Sequence, residues 1–350
     1  MPVGICALIA WLAFFIIGET PLVRSAGLAA AIAGVTLTLR RMGTVVAVIG
    51  GLTLAFTPAF WSQTGGRISE PATIVIALGL ASAIALFALI LSKRPIIGFS
   101  LGVIIFVFLF WSQIGTERSL RLTGFATSWL LFFLVDMLML TNPRPEDDAP
   151  RKAHPYHLIG IIILLGTGVL NDPVMAFLIP AVCIALFLNR TTLHPVYIIG
   201  LIIISLLGVY GLYTNYWLQG YLDLMAWREA SYWIELIQIV VRQFTIVGVI
   251  LSVIGLARLA RWYPVLGITS MIAYGAYIFF GLIYTGPNRE ILLLPIYIVQ
   301  TIWLSYAIVA LASWLDKTLS HKIPFIQYAA SLAYVILPLT LFGQILGFRI

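Results

Sequence analysis

The chain has 350 residues, of which 61% are hydrophobic and 9% charged, and its formal net charge is +7. Soluble domains average about 25% charged residues, so these proportions exclude an ordinary soluble domain and indicate an integral membrane protein. The basic excess is divided among short connections rather than gathered on one face, which excludes a nucleic-acid surface.

Apolar runs that match the hydrocarbon thickness, roughly 17 to 25 residues, predict thirteen helices in chain order: 3–17, 22–38, 44–60, 71–92, 95–114, 122–140, 157–170, 173–189, 194–213, 243–258, 263–284, 291–314 and 324–348. The fold class expected is all-α, a polytopic transmembrane helical bundle of 11 to 13 spans, the lower count applying if 3–17 or 157–170 is re-entrant. The first run lacks a basic flank and is followed by Gly18, Glu19, Thr20 and Pro21 rather than by a small-residue cleavage site. It therefore reads as a retained helix and not as a cleaved signal peptide.

Two long connections organise the chain. Residues 141–156 carry four prolines and mixed charge, which favours an extended, solvated linker between an amino-terminal half, 1–140, and a carboxyl-terminal half, 157–350. Residues 214–242 interleave Trp217, Tyr221, Trp227, Tyr232 and Trp233 with Asp223, Arg228, Glu229 and Glu235. That pattern suits an amphipathic helix lying in the headgroup plane, either as an anchor or as a cover over a lateral opening where a lipid enters.

Basic residues gather in the cytoplasmic connections of polytopic proteins. With thirteen spans, one side holds twelve of them: Arg40, Arg41, Lys93, Arg94, Arg144, Arg151, Lys152, Arg190, Arg258, Arg261, Lys317 and Lys322. Taking that side as cytoplasmic puts the amino terminus inside. The eight basic residues left outside are all arginines, Arg67, Arg118, Arg242 and Arg289 among them, and eight of the thirteen acids join them. Guanidinium forks on that side suit a phosphate or a carboxylate near the outer membrane surface, whereas interfacial anchoring and local ion pairs are the plainer reading.

The tetrapeptide Phe-Trp-Ser-Gln occurs at 60–63 and again at 110–113, each time ending an outward-going helix. Tryptophan belongs at such boundaries; the sharper reading is two matching outer loops that line one cavity with Gln63, Gln113, Arg67 and Arg118. Asp136 alone places a charge inside a span, near enough to its end to reach the interface or to pair with a neighbouring helix. Asn171 and Asp172, before Pro173, read as a tight outer turn that carries a carboxylate. No cofactor is expected, and no metal. Cys6 and Cys183 stand singly in apolar spans as small packed hydrophobes, and His154 and His157 lie at i, i+3 in the Pro-rich linker.

Residues 53–75, Thr-Leu-Ala-Phe-Thr-Pro-Ala-Phe-Trp-Ser-Gln-Thr-Gly-Gly-Arg-Ile-Ser-Glu-Pro-Ala-Thr-Ile-Val, resemble a helix, outer loop and helix of the GT-C glycosyltransferase superfamily, in its protein O-mannosyltransferase-like branch. There a phrase such as F-S-P-x-F-W-S-Q is followed by an acid that opens the next helix; Thr57 replaces the serine and Glu70 stands at the acidic position. Pro21 to Arg41 is similar to the family's helix with an early arginine and a closing Arg-Arg. Gly166 to Pro173 is similar to its G-x-x-x-x-N-H-P turn, with Asp172 in the histidine's place. Asn288 to Pro295 resembles its D-x-E-x-x-x-L-P segment, with Asn288 and Glu290 at the acidic positions.

The resemblance implies transfer of a sugar from a polyprenyl-phosphate carrier to an acceptor outside the cytoplasm of a bacterial cell. It implies a substrate-binding cavity lined by Gln63, Arg67, Glu70, Arg118, Asp172, Arg289 and Glu290, with membrane lipids and partner membrane subunits as associates. The family's first helix and catalytic aspartate loop have no counterpart here: Glu19 is the acid nearest that position, in a connection too short to build such a loop. The alternative expectation is a non-catalytic relative, a structural or lipid-binding subunit of a membrane complex.

Overall fold

The computed structural model describes residues 2–65, 120–142, 153–189, 194–319 and 327–348. Among these the chain is helical and contains no strand. The expected spans at 71–92 and 95–114 lie outside the described residues.

In chain order, α1 (Pro2–Leu12) widens into a π turn at Ala13–Ile17, and α2 (Leu22–Leu39) tightens into a 3-10 turn at Arg40–Met42. Next come α3 (Thr44–Ala55), the single turn α4 (Pro58–Trp61), α5 (Leu120–Thr141) and α6 (Pro155–Asn171). A 3-10 segment, Pro173–Leu178, leads into α7 (Ile179–Leu188), and α8 (Pro195–Leu212) ends in a π turn at Tyr213–Trp217. The remainder is α9 (Ala230–Trp262), α10 (Pro264–Ile283), the turn α11 (Arg289–Leu292), α12 (Leu294–Leu319), α13 (Gln327–Tyr334) and α14 (Ile336–Ile345).

Among the described residues six segments are long and apolar enough to cross a bilayer: Leu122–Thr141, Pro195–Trp217, Ala230–Trp262, Pro264–Ile283, Leu294–Leu319 and Tyr328–Ile345. Helices dominate because lipid offers no partner to a backbone N–H or C=O, so each segment must satisfy its own. Proline marks several starts. Pro58, Pro155, Pro195 and Pro264 each sit in a first turn, where the missing N–H costs nothing. His154 and His194 before them are extended, ψ 144° and 141°, as the proline ring requires.

α12 is the central post, buried almost without interruption from Leu294 to Ile308, and α9 packs along it. That approach needs Gly255, where a Cβ would overlap the Trp303 carbonyl oxygen; small residues at helix crossings are how bundles in lipid bring backbones together. By contrast α8 exposes Ile198, Ile202, Leu206 and Val209, a surface suited to acyl chains. Between α5, α7, α9, α10 and α12 the interior holds a cavity of about 20 Å³ with apolar walls, room for roughly one water molecule.

Several expected helices are broken where the chain bends. The run 44–60 stops at Ala55 and restarts at Pro58, because Thr57 is extended at ψ 141° ahead of the proline. The run 324–348 divides at Val335, three residues before Pro338. The boundary expected at 243 falls at Thr245, whose φ of 62° and ψ of 167° interrupt α9 without a loop. Its first part, from Ala230, belongs to the segment expected to lie along the surface. Cys6 is buried, but Cys183 is exposed on a lipid-facing groove with Phe187 and Ile202 rather than packed. That groove runs between α7 and α8.

The bundle has two chemically distinct ends. At one, Asp136 of α5 accepts from Arg40 Nη2 at 3.0 Å, Arg41 Nη2 at 3.1 Å and His157 Nε2 at 3.2 Å. It thereby ties α2, α5 and α6 together, the neighbouring-helix pairing that its position in the sequence suggested. Asn142 and Asn189, 2.8 Å apart, close the same end. The other end carries Gln63, Asp172 and Arg289.

Candidate functional site

The Arg289 end is built from α4, the turn at Asn171–Pro173, the crossing segment 213–229, the start of α9 and the segment 284–293. Backbone bonds fasten the crossing segment: Asp223 N donates to Ile283 O at 2.8 Å and Thr285 N to Tyr221 O at 2.9 Å, around a bridge between Leu222 and Tyr284. Tyr284 donates its hydroxyl to Pro287 O at 2.7 Å, and Asn288, at φ 59°, turns the chain into α11. A left-handed φ is one that asparagine tolerates better than most residues. This turn delivers Arg289 inward.

Arg289 is 7% exposed. Its Nε donates to Gly281 O at 2.7 Å, its Nη1 to Glu235 Oε2 at 2.7 Å, and its Cζ lies 5.5 Å from the centre of the Tyr232 ring. Nη2 is buried and has no partner among the described residues. An orphaned buried donor of this kind costs about 1–3 kcal/mol, more when charged, and Arg289 is also one of the residues that line a cavity. That cavity measures about 420 Å³ and is lined by Glu229, Ser231, Tyr232, Glu235, Tyr284 and Arg289. Glu229 and Glu235 put two carboxylates among its lining residues, and Glu235 has 59% of its side chain exposed.

The neighbouring acid does different work. Glu290 Oε1 accepts from Gln243 Nε2, and Gln243, fully buried, accepts from Ala59 N at 2.9 Å. Arg242 Nη1 stands 3.9 Å from Glu290 Oε2 and is 70% exposed. The amide of Gln243 thus bridges α11 to α4 and holds the Phe60–Gln63 turn beside Arg289's own turn. Gln63 is 7% exposed and donates to Ser62 Oγ at 3.1 Å and to Ala59 O at 3.4 Å; its amide braces that turn.

Asp172 sits 1% exposed below Tyr216. Its Oδ1 accepts from Val174 N at 3.1 Å, capping the 3-10 segment, and from Tyr216 OH at 3.0 Å. The Tyr216 ring then meets the Tyr284 ring with centroids 5.9 Å apart, so Asp172 supports the wall behind the cavity and does not line it. Its neighbour Asn171 donates to Thr123 Oγ1 at 3.1 Å, which locks the turn to α5.

Of the seven residues expected to form one cavity, Gln63, Arg289 and Glu290 are brought together through Gln243 and Ala59, and Asp172 joins them through Tyr216 and Tyr284. Arg67, Glu70 and Arg118 lie outside the described residues. In the sequence Glu229 and Glu235 read only as charges interspersed in a surface helix. The signal available was Tyr232 and Glu235 at i, i+3, a spacing that puts an aromatic ring and a carboxylate on one helical face. Among the described residues no group of three His, Cys, Asp or Glu could hold a metal ion. Comparison with protein-family models, curated proteins and solved structures returned no match.

Proposed function

We propose that this is a membrane protein of roughly 11 to 13 spans that holds a polyprenyl-phosphate-linked sugar at the Arg289 cavity and transfers the sugar to an acceptor on the same side. On this reading the Arg289 end faces outward from a bacterial cytoplasmic membrane and the amino terminus lies inside. The segment 214–242 rests in the headgroup layer. The reading joins the GT-C resemblance of residues 53–75 to one observation, a buried guanidinium, Arg289, whose Nη2 has no partner among the described residues and which lines a cavity of about 420 Å³ at the end of an apolar bundle.

The chemistry suits the parts. A phosphate departing from a sugar needs a donor that is already in place and desolvated, and Arg289 is held by Gly281 and Glu235, with its Nη2 unpartnered among the described residues. Carboxylates in the lining suit a hydroxyl that must lose a proton. A second reading, a lipid-binding subunit without catalysis, draws on the connection between α1 and α2. There Gly18 N donates to Ala13 O at 3.1 Å and the Thr20 hydroxyl accepts from Gly65 N at 3.0 Å, which makes it a closed turn with no room for a catalytic loop.

Binding of a polyprenyl-phosphate sugar to the detergent-solubilised protein, with and without Arg289→Ala and Arg67→Ala, tests the proposal. Truncating one member of a desolvated charge pair costs 2–5 kcal/mol, so Arg289→Ala should weaken binding at least thirtyfold, on the order of magnitude of that range. Unchanged binding in both variants refutes it. Binding without any turnover across acceptors selects the second reading.

A further inference from the structure

At the Asp136 end two adjacent guanidiniums carry more charge than the one carboxylate they reach among the described residues neutralises. Arg40 and Arg41 occupy the 3-10 turn after α2, which Gly43 closes at φ 105°; a residue with a Cβ would resist that conformation. Both Nη2 atoms reach the same Asp136 Oδ1, at 3.0 and 3.1 Å, while His157 Nε2 takes Oδ2 at 3.2 Å. Asp136 is therefore fully engaged. Each guanidinium has five N–H donors and gives one of them to Asp136. The two side chains remain 44% and 37% exposed. Arg40 is also held over the Phe132 ring at 5.7 Å, which orients its fork.

The pair stands where apolar helices α2, α5 and α6 end, the depth at which phospholipid phosphates lie in a bilayer. Exposed apolar side chains stand near the starts of the adjoining helices, Val45 on α3 and Ile159 on α6. A ligand that fits has an oxyanion for two planar forks and a chain for the apolar flanks. Guanidinium pairs match phosphoryl oxygens in this way, and basic pockets between helices take anionic headgroups.

We propose that Arg40 and Arg41 form a binding site for the phosphoryl oxyanion of an anionic phospholipid, held open by Asp136 and Phe132. The site is independent of the Arg289 cavity, which lies at the opposite end. Free phosphate shares the headgroup chemistry but lacks the chain, so the two sources are separable.

The test uses the full chain purified in neutral detergent. Thermal unfolding is followed while phosphatidylglycerol, phosphatidylcholine or inorganic phosphate is titrated, for the wild type, R40Q/R41Q and R40K/R41K. Phosphatidylglycerol should raise the midpoint saturably and phosphatidylcholine should not. The apparent affinity should fall roughly thirtyfold in R40Q/R41Q and less in R40K/R41K, which keeps charge but loses the fork. The midpoint without lipid reports whether each variant folds, and R40K/R41K carries the test if R40Q/R41Q does not. Equal response to phosphatidylcholine, or undiminished affinity in the folded double variant, overturns the site. Half-saturation by inorganic phosphate at the same concentration as by phosphatidylglycerol overturns the lipid as its source.

Discussion

Replacing Asp136 by asparagine removes the charge that gathers three helices while keeping the side chain's size. The loss can be worked from its partners. The bonds to Arg40 and Arg41 involve side chains 44% and 37% exposed, so each is worth no more than an exposed pair, about 0.2–1 kcal/mol. His157 is wholly buried. Its ring nitrogens face Asp136 Oδ2 at 3.2 Å and the His154 carbonyl at 3.3 Å, and weakening one of these leaves a buried polar group poorly satisfied, at about 1–3 kcal/mol. Together the change should cost about 2–4 kcal/mol. At roughly 2–4 °C per kcal/mol for a large domain, the unfolding midpoint in detergent should drop by several degrees. A double-mutant cycle with His157→Gln isolates the buried contact, because residues in one network show coupling of about 0.5–3 kcal/mol. Strict additivity together with a midpoint within a degree of wild type would show that Asp136 does not hold α2, α5 and α6 together.

Two further substitutions test the packing. Gly255→Ala should destabilise by about 3 kcal/mol or more through overpacking against Trp303, whereas Gly275→Ala in α10, with nothing within 4 Å of a new Cβ, should be neutral or raise the midpoint; matched losses would refute the close approach of α9 to α12. Thr245→Gly should raise the midpoint, since φ 62° and ψ 167° lie where a threonine carries about 1–3 kcal/mol of strain, while Thr245→Ala should not; hydrogen exchange across the break, equal in all three proteins, would argue against a strained junction.

The architecture was legible because apolar runs of spanning length leave the backbone no choice but helix. Two of the three breaks are also marked in the sequence by proline, which hydropathy ignores; the one at Thr245 is not. Pro58 sets Thr57 extended, and Pro338 follows the interruption at Val335. The partner of Asp136 could be anticipated in kind, a neighbouring helix, but not by name, since Arg40 and His157 are 96 and 21 residues away. The site was harder still. Arg289 and Glu235 are 54 residues apart and Gln243 reaches Ala59 across 184; such pairings arise from the way helices cross, which no local spacing encodes. Glu290 looked like a ligand-facing acid and Asp172 likewise, yet both carboxylates accept bonds that hold turns in place.

The two ends of the bundle show why counting arginines could not separate anchoring from binding. At the Asp136 end the forks are half exposed, so water completes what the carboxylate leaves, and an empty site there costs little. At the Arg289 end the guanidinium is 7% exposed and one Nη atom has no partner among the described residues. A charged donor left in that state weighs against the fold by about 1–3 kcal/mol or more. A purely structural arginine would relieve that cost by turning toward the water above the cavity, but the bonds to Gly281 and Glu235 and the Tyr232 ring prevent it. An occupant of this cavity that accepts from Arg289 should therefore raise the unfolding midpoint of the wild type and not that of Arg289→Ala, whose basal midpoint also falls because the bonds to Gly281 and Glu235 are lost.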